Sequence, residues 1–157
     1  MAAGVPVPRL GELLADESVD LHAGAATQDD AIRHVGGLLA ASGAIADGYA
    51  EAMLEREASV GTYVGEGIAI PHATFAGKEA VHRDALAVAV VPDGVPWGSD
   101  RVTVVIAIAA RGRRHIGLLS RLARTLLEPG VADRLRAAGS AEEVRAVLDG
   151  EADRSTP

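Results

Sequence analysis

Apolar positions fall into two patterns along the chain, one helical and one continuous. Ala31, Val35, Leu38 and Leu39 recur at three- and four-residue spacing, which lays them on one helix face. Thr27-Gln28-Asp29-Asp30 is a capping-box-like start to that helix: the Thr27 hydroxyl can take a first-turn amide, and the two acids suit the positive end of a helix dipole. Ser42-Gly43 supplies the stop. Ala50, Met53 and Leu54 line one side of a second helix spanning about Asp47 to Ala58, and Arg9 to Ala15 reads as a short one. From Arg114 onward Ile116, Leu119, Leu122, Ala123 and Leu126 keep helical spacing until Pro129-Gly130. Val131 to Ala138 predicts a short helix, and Ser140-Ala141-Glu142-Glu143 is a second capping box opening a last one through Leu148.

The continuous runs are Ile68-Ala69-Ile70, Ala85 to Val91 and Val102 to Ala109, with Val60 to Val64 as a brief β-prone segment. Pro92-Asp93-Gly94 is a turn signal that predicts the end of the second run. Strands with no polar alternation need cover on both faces. The expected fold is therefore α/β, a single domain with a mixed β-sheet and helices packed on both faces. Residues 1–8, with Pro6 and Pro8, and residues 151–157 read as flexible tails around a domain of residues 9–150, and Phe75 to Arg83 as a loop or short helix.

Composition narrows the function. The 157 residues suit one domain, and 48% hydrophobic residues suffice for its core. A net charge of -7 and only 3% aromatics argue against a phosphate-backbone surface or base-stacking platforms, so nucleic acid is set aside as a partner. No apolar run approaches the roughly 18 to 20 residues that span a bilayer, and the N-terminus has no basic segment followed by an apolar one, so a cytoplasmic protein is expected. Zero cysteines exclude disulfides, thiolate zinc sites and any cysteine step carried by this chain.

Candidate chemistry centres on His72. Pro71 offers no amide hydrogen and a fixed φ, so it ends the Ile68-Ala69-Ile70 strand and leaves His72 as the first side chain past a rigid edge. Of the other four histidines, His22 at the end of an expected strand, His34 in a helix among polar neighbours and His82 in the polar loop are bland, whereas His115 follows the Val102 to Ala109 strand and opens a helix. His72 and His115 both lie at strand ends, the usual place for sites in helix-covered sheets, and could meet. Arg111, Arg113 and Arg114, with Arg121 and Arg124, read either as a solvated face or as an anion-attracting feature near a helix N-terminus. Arg56 carries the same two readings, surface ion pair or phosphate ligand. GxGxxG, GxxxxGK[ST], GxSxG and HExxH are all missing, although His72, His115 and an acid could bind zinc. Two histidines in an anion-attracting setting suggest phosphoryl transfer through histidine, whose ordinary pKa of about 6.5 keeps most of an unperturbed ring neutral and nucleophilic near neutral pH.

Met53-Leu54-Glu55-Arg56-Glu57, Thr62-Tyr63-Val64-Gly65-Glu66-Gly67-Ile68-Ala69-Ile70-Pro71-His72-Ala73-Thr74, Lys78-Glu79-Ala80-Val81, Pro92-Asp93-Gly94-Val95-Pro96-Trp97-Gly98, Val105-Ile106-Ala107-Ile108-Ala109-Ala110 and His115-Ile116 occur in order. Together, across about Leu10 to Leu148, they resemble the enzyme IIA domain of the bacterial phosphotransferase system, mannitol/fructose class, closest in look to the mannitol branch. The resemblance implies that His72 accepts a phosphoryl group from phosphocarrier HPr as a tele-phosphohistidine and hands it to a cysteine of enzyme IIB. It implies His115 and Arg56 as companion site residues, with Ala73 and Thr74 amides helping to hold phosphoryl oxygens, and neither cofactor nor metal. Lacking cysteine and a membrane segment, the chain is expected to carry neither IIB nor the permease IIC, and to meet IIC only indirectly. A regulatory IIA protein is the alternative; a metal-binding or hydrolytic domain is the more distant one. Two departures from the family pattern stand out: Ala73 where glycine is common, and Arg114 where an acid often precedes the second histidine. Trp97 is assigned to packing.

Overall fold

A computed structural model describes residues 9–73, 80–111 and 114–150; the side chain of Arg114 is outside the description. The two expected tails, and Thr74 with the Phe75 to Glu79 part of the expected loop, lie outside the described residues. A 3-10 turn, Leu10–Leu13, leads into β1 (Leu14–Asp20). Then come α1 (Gln28–Ala41), α2 (Tyr49–Ser59), β2 (Tyr63–Gly65), β3 (Ile68–Ala69), β4 (Ala85–Trp97) and β5 (Asp100–Ala109). Helices α3 (Arg114–Leu126), α4 (Val131–Ala137) and α5 (Ala141–Leu148) complete it. The strands form one five-stranded sheet in the order β1-β4-β5-β3-β2. It is mixed: β1 runs parallel to β4 and β3 to β5, while β4–β5 and β2–β3 are antiparallel.

Both capping boxes form at their amide ends. Thr27 Oγ1 accepts from the Asp30 amide at 3.1 Å, and Ser140 Oγ from the Glu143 amide at 3.1 Å, each cap being worth about 1 kcal/mol. Two expected boundaries shift. Arg9 to Ala15 is not one helix, because the chain extends at Leu14 to pair with Leu86 of β4. Its strand reads as polar because it lies at the sheet edge, where exposed Asp16 and Glu17 suit a strand with one unpaired side. Pro92-Asp93-Gly94 does not end β4 either; the register shifts between Val90 and Val95, which accommodates Pro92 in a bulge, and the strand runs on to Trp97. The reversal instead uses Gly98, at φ 63°.

The continuous apolar runs alternate in size, though not in polarity. On one face Ala85, Ala87 and Ala89 of β4 and Ala107 and Ala109 of β5 meet Ile32, Val35 and Leu39 of α1 and Tyr49 and Met53 of α2. On the other face Leu86, Val88, Ile106 and Ile108 pack under Leu118, Leu122 and Leu126 of α3, Leu135 of α4 and Val144 of α5. Helices thus cover both faces, as expected. The alanine face lets α1 and α2 lie close to the sheet, and Gly36 lets them lie close to each other: a Cβ there would come within 3.0 Å of the Ala50 Cβ.

Candidate active site

The β2–β3 hairpin sets up the site. Its two turn residues, Glu66 and Gly67, both have positive φ, 57° and 77°, the backbone of a type I′ turn whose twist matches the strands it joins. Gly67 suits this; Glu66 is the one non-glycine residue with positive φ among the described residues. Beyond β3 the Ile70 amide donates to Thr62 O at 3.1 Å, so the hairpin continues to Ile70. Pro71 cannot donate, yet its carbonyl accepts from the Ile108 amide at 3.1 Å, and His72 forms an isolated parallel bridge with Ile108. The His72 backbone is therefore pinned beside the C-terminal end of β5.

His72 is buried, and its Nδ1 lies 2.9 Å from Ile70 O. A carbonyl can only accept, so Nδ1 carries the proton and the lone pair of the neutral ring lies on Nε2. The short reach back to its own strand fixes the tautomer and the ring plane together. The His115 ring lies with its centroid 5.1 Å from that of His72, tilted by 54°. His115 is in the first turn of α3, where helix-end amides and the dipole favour an anion. The two histidines singled out in the sequence do meet.

An open groove of about 400 Å³ borders His72, with Arg56, Thr62, Ile70, Ile116 and Ser120 among its lining residues. Arg56 stands in the last turn of α2 and donates through Nη1 to the Val60 carbonyl, which holds the guanidinium at the rim. Ile116, next to His115, is 72% exposed, so the mouth of the groove has an apolar lip.

Two supporting groups escaped the sequence reading. Tyr49, the first residue of α2, donates its hydroxyl to Ile108 O at 2.6 Å and accepts from the Ala73 amide at 3.4 Å. Burial pushes its phenol up to about 12, more than the Ala73 hydrogen bond pulls it back. Glu57, adjacent to Arg56, is a buried carboxylate that accepts from the amide of Thr62 at 2.9 Å, from its hydroxyl, and from Trp97 Nε1 at 2.9 Å. With one Trp, two Tyr and one Phe in the chain, any buried polar aromatic was a signal, since such a group needs a hydrogen-bond partner. Trp97 does pack in the core, as assigned, and its N–H also ties down Glu57.

The remaining candidates have other settings. His34 Nε2 is 2.8 Å from Asp20 Oδ2. Burial pushes the Asp20 carboxyl up, but the His22 amide and the His34 ring outweigh this and hold it below its usual value. His22 and His82 are exposed. Arg121 lines a separate cleft with Arg9 and Arg134, and exposed Arg124 donates to Ser120 Oγ at 3.2 Å. Arg111 is exposed, while Arg113 lies outside the described residues. Ala73 is fully buried with φ outside the left-handed region, so its methyl is accommodated where glycine is common. Its amide is directed to Tyr49.

Residues 12–150 match the family described as phosphoenolpyruvate-dependent sugar phosphotransferase system, EIIA 2. The chain belongs to this family. As an enzyme IIA component it is a phosphotransferase. The mannitol-specific phosphotransferase enzyme IIA component of Staphylococcus aureus is 40% identical over 140 residues, 89% of this chain and 97% of that protein. The multiphosphoryl transfer protein of Salmonella typhimurium is 42% identical over 135 residues, 84% of this chain and 36% of that longer protein. The complex of enzyme IIAMTL and phosphorylated enzyme IIBMTL from Escherichia coli contains a chain with the same fold, at a TM-score of 0.80 and 35% identity, matched over 88% of this chain and 99% of that one. Among the described residues of this enzyme IIA, no helix is long and apolar enough to cross a membrane.

Proposed function

We propose that His72 is the phosphoryl acceptor of this enzyme IIA, charged at Nε2 by phosphorylated HPr and discharged to a cysteine of a separate enzyme IIB, in the cytoplasm. The pathway serves uptake of a sugar or sugar alcohol, with mannitol favoured by the 40% identity to the Staphylococcus aureus mannitol component. The observation that carries this reading is the Nδ1 contact of His72 to Ile70 O at 2.9 Å, with the His115 ring beside it. A neutral ring so held carries its nucleophilic lone pair on Nε2, the tele position.

In the first step the Nε2–P bond forms as the N–P bond of the donor phosphohistidine breaks; in the second it breaks as an S–P bond forms on IIB. Such transfers pass through a loose transition state, so the protein's task is in-line positioning and stabilisation of the oxygens. His115 and Arg56 supply donors to those oxygens, and the first turn of α3 adds favourable potential. The Ala73 amide can contribute only by leaving the Tyr49 hydroxyl. The exposed Ile116 lip suits a protein partner better than a small substrate.

The test is incubation with enzyme I, HPr and phosphoenolpyruvate, followed by mapping of the modified atom and then addition of purified IIB. Label is expected on His72 Nε2 and is lost in His72→Ala; label persisting in that variant refutes the assignment. His115→Ala is expected to accept phosphate and to pass it on poorly.

A further inference from the structure

The backbone around His72 is clamped onto one residue of β5. Ile108 donates its amide to Pro71 O at 3.1 Å, on one side of His72. On the other side, a regular parallel ladder would join the Ala73 amide to Ile108 O. Both partners of that second bond are engaged by the Tyr49 hydroxyl, which donates to Ile108 O at 2.6 Å and accepts from Ala73 N at 3.4 Å. A phenol from α2 is thus built into the ladder at the position of the histidine.

The ring reaches there because Ala107 and Ala109, on the same sheet face, leave room for it, and Tyr49 itself is buried. The phenol oxygen is thus shared between the Pro71-His72-Ala73 segment and the end of β5, beside the bridge that His72 keeps with Ile108. That end leads, through Ala110, to α3 and His115. We propose that Tyr49 is a positioning residue for the histidine relay, its hydroxyl acting as a spacer in the β-ladder that holds His72 at its working distance from His115. This rests on the phosphoryl-carrier reading of His72. Tyr49 touches no phosphoryl group and donates no proton to one.

Tyr49→Phe is the direct test, since it keeps the ring and removes one oxygen. Ala73 N–H and Ile108 O are then free to close on each other, so the fold is retained while the His72 backbone shifts by a fraction of the removed oxygen's diameter. Misplacement of about 1 Å can cost about 100-fold in rate. The expected result is a kcat for phosphoryl uptake from phosphorylated HPr reduced roughly 10- to 100-fold with KM changed less than about threefold. The His72 ring and Ala73 amide resonances should move in the nitrogen-15 NMR spectrum. Unchanged kcat in the folded variant, or a raised KM with kcat intact, overturns the proposal. A second measurement needs no variant: native-state hydrogen exchange of the wild type should show the Ala73 amide protected, and rapid exchange there overturns the proposal too. A wild type that takes no label on His72 refutes instead the reading on which this one rests.

Discussion

The indole N–H of Trp97 donates to the carboxylate of Glu57 at 2.9 Å, tying the end of β4 to the last turn of α2. The same carboxylate takes both donors of Thr62, whose carbonyl receives the Ile70 amide, whose own carbonyl receives His72 Nδ1. Glu57→Ala leaves buried donors on Thr62 and Trp97 without partners, at roughly 1 to 3 kcal/mol for each unsatisfied group. We expect a loss of about 3 kcal/mol or more in urea unfolding, with a shifted emission of the single tryptophan in the native state. A loss under about 1 kcal/mol would show that the network is not structural.

Tyr49 makes a prediction at the alkaline end. Its folded pKa, about 12, lies above the ordinary 10.0, because burial disfavours the phenolate. Stability from the buried neutral phenol is thus complete below pH 10.0 and is lost as pH rises toward about 12. Tyr49→Phe lacks this group. The stability difference between wild type and variant should be constant through neutral pH, and the wild type should lose stability relative to the variant as pH climbs through that window; a wild type that gains on the variant there contradicts the burial argument.

Glu66 offers the reverse kind of change. A side chain at φ 57° in a type I′ turn carries a left-handed penalty of roughly 1 kcal/mol that asparagine or glycine largely avoids. Glu66→Asn should raise the unfolding free energy by about 0.5 to 1 kcal/mol while leaving the hairpin in place. A destabilised Glu66→Asn protein would mean that the carboxylate has a role of its own.

Arg56 tests how much planarity matters at the rim. Its guanidinium binds Val60 O while facing the groove, and a lysine at that position presents one compact charge without the fork. We expect Arg56→Lys to fold with stability within about 0.5 kcal/mol of wild type and to transfer phosphate roughly tenfold more slowly. Equal rates would assign Arg56 to the surface.

The parts of the molecule governed by local rules could be read directly. Thr27 and Ser140 cap where expected and the Ala31-Val35-Leu39 stripe is buried, whereas β3 ends at Ala69 and Pro71 does not stop the pairing with β5, which His72 continues as an isolated bridge to Ile108. The approach of His72 and His115 was foreseeable because both follow strands of one sheet. What escaped the reading depends on contacts far apart in sequence. The Tyr49 partner Ile108 lies 59 residues away, and Glu57 joins nearby Thr62 to Trp97, 40 residues away. Pro92-Asp93-Gly94 misled for a similar reason: turn chemistry is equally at home in a bulge, and the pairing of Val95 with Val102 decided between them.

The alternation of alanine with leucine and isoleucine in β4 and β5 bears on how the chain avoids a wrong fold. Polarity gives these strands no preferred side, so by polarity alone a one-residue slip in pairing would be undetected. Volume detects it. A slipped strand would drive Leu86, Ile106 or Ile108 into the narrow layer shared with α1 and α2 and leave small voids beneath α3. It would also deny the phenol its passage to the histidine segment, so misregistered chains would be penalised in packing and in catalysis at once.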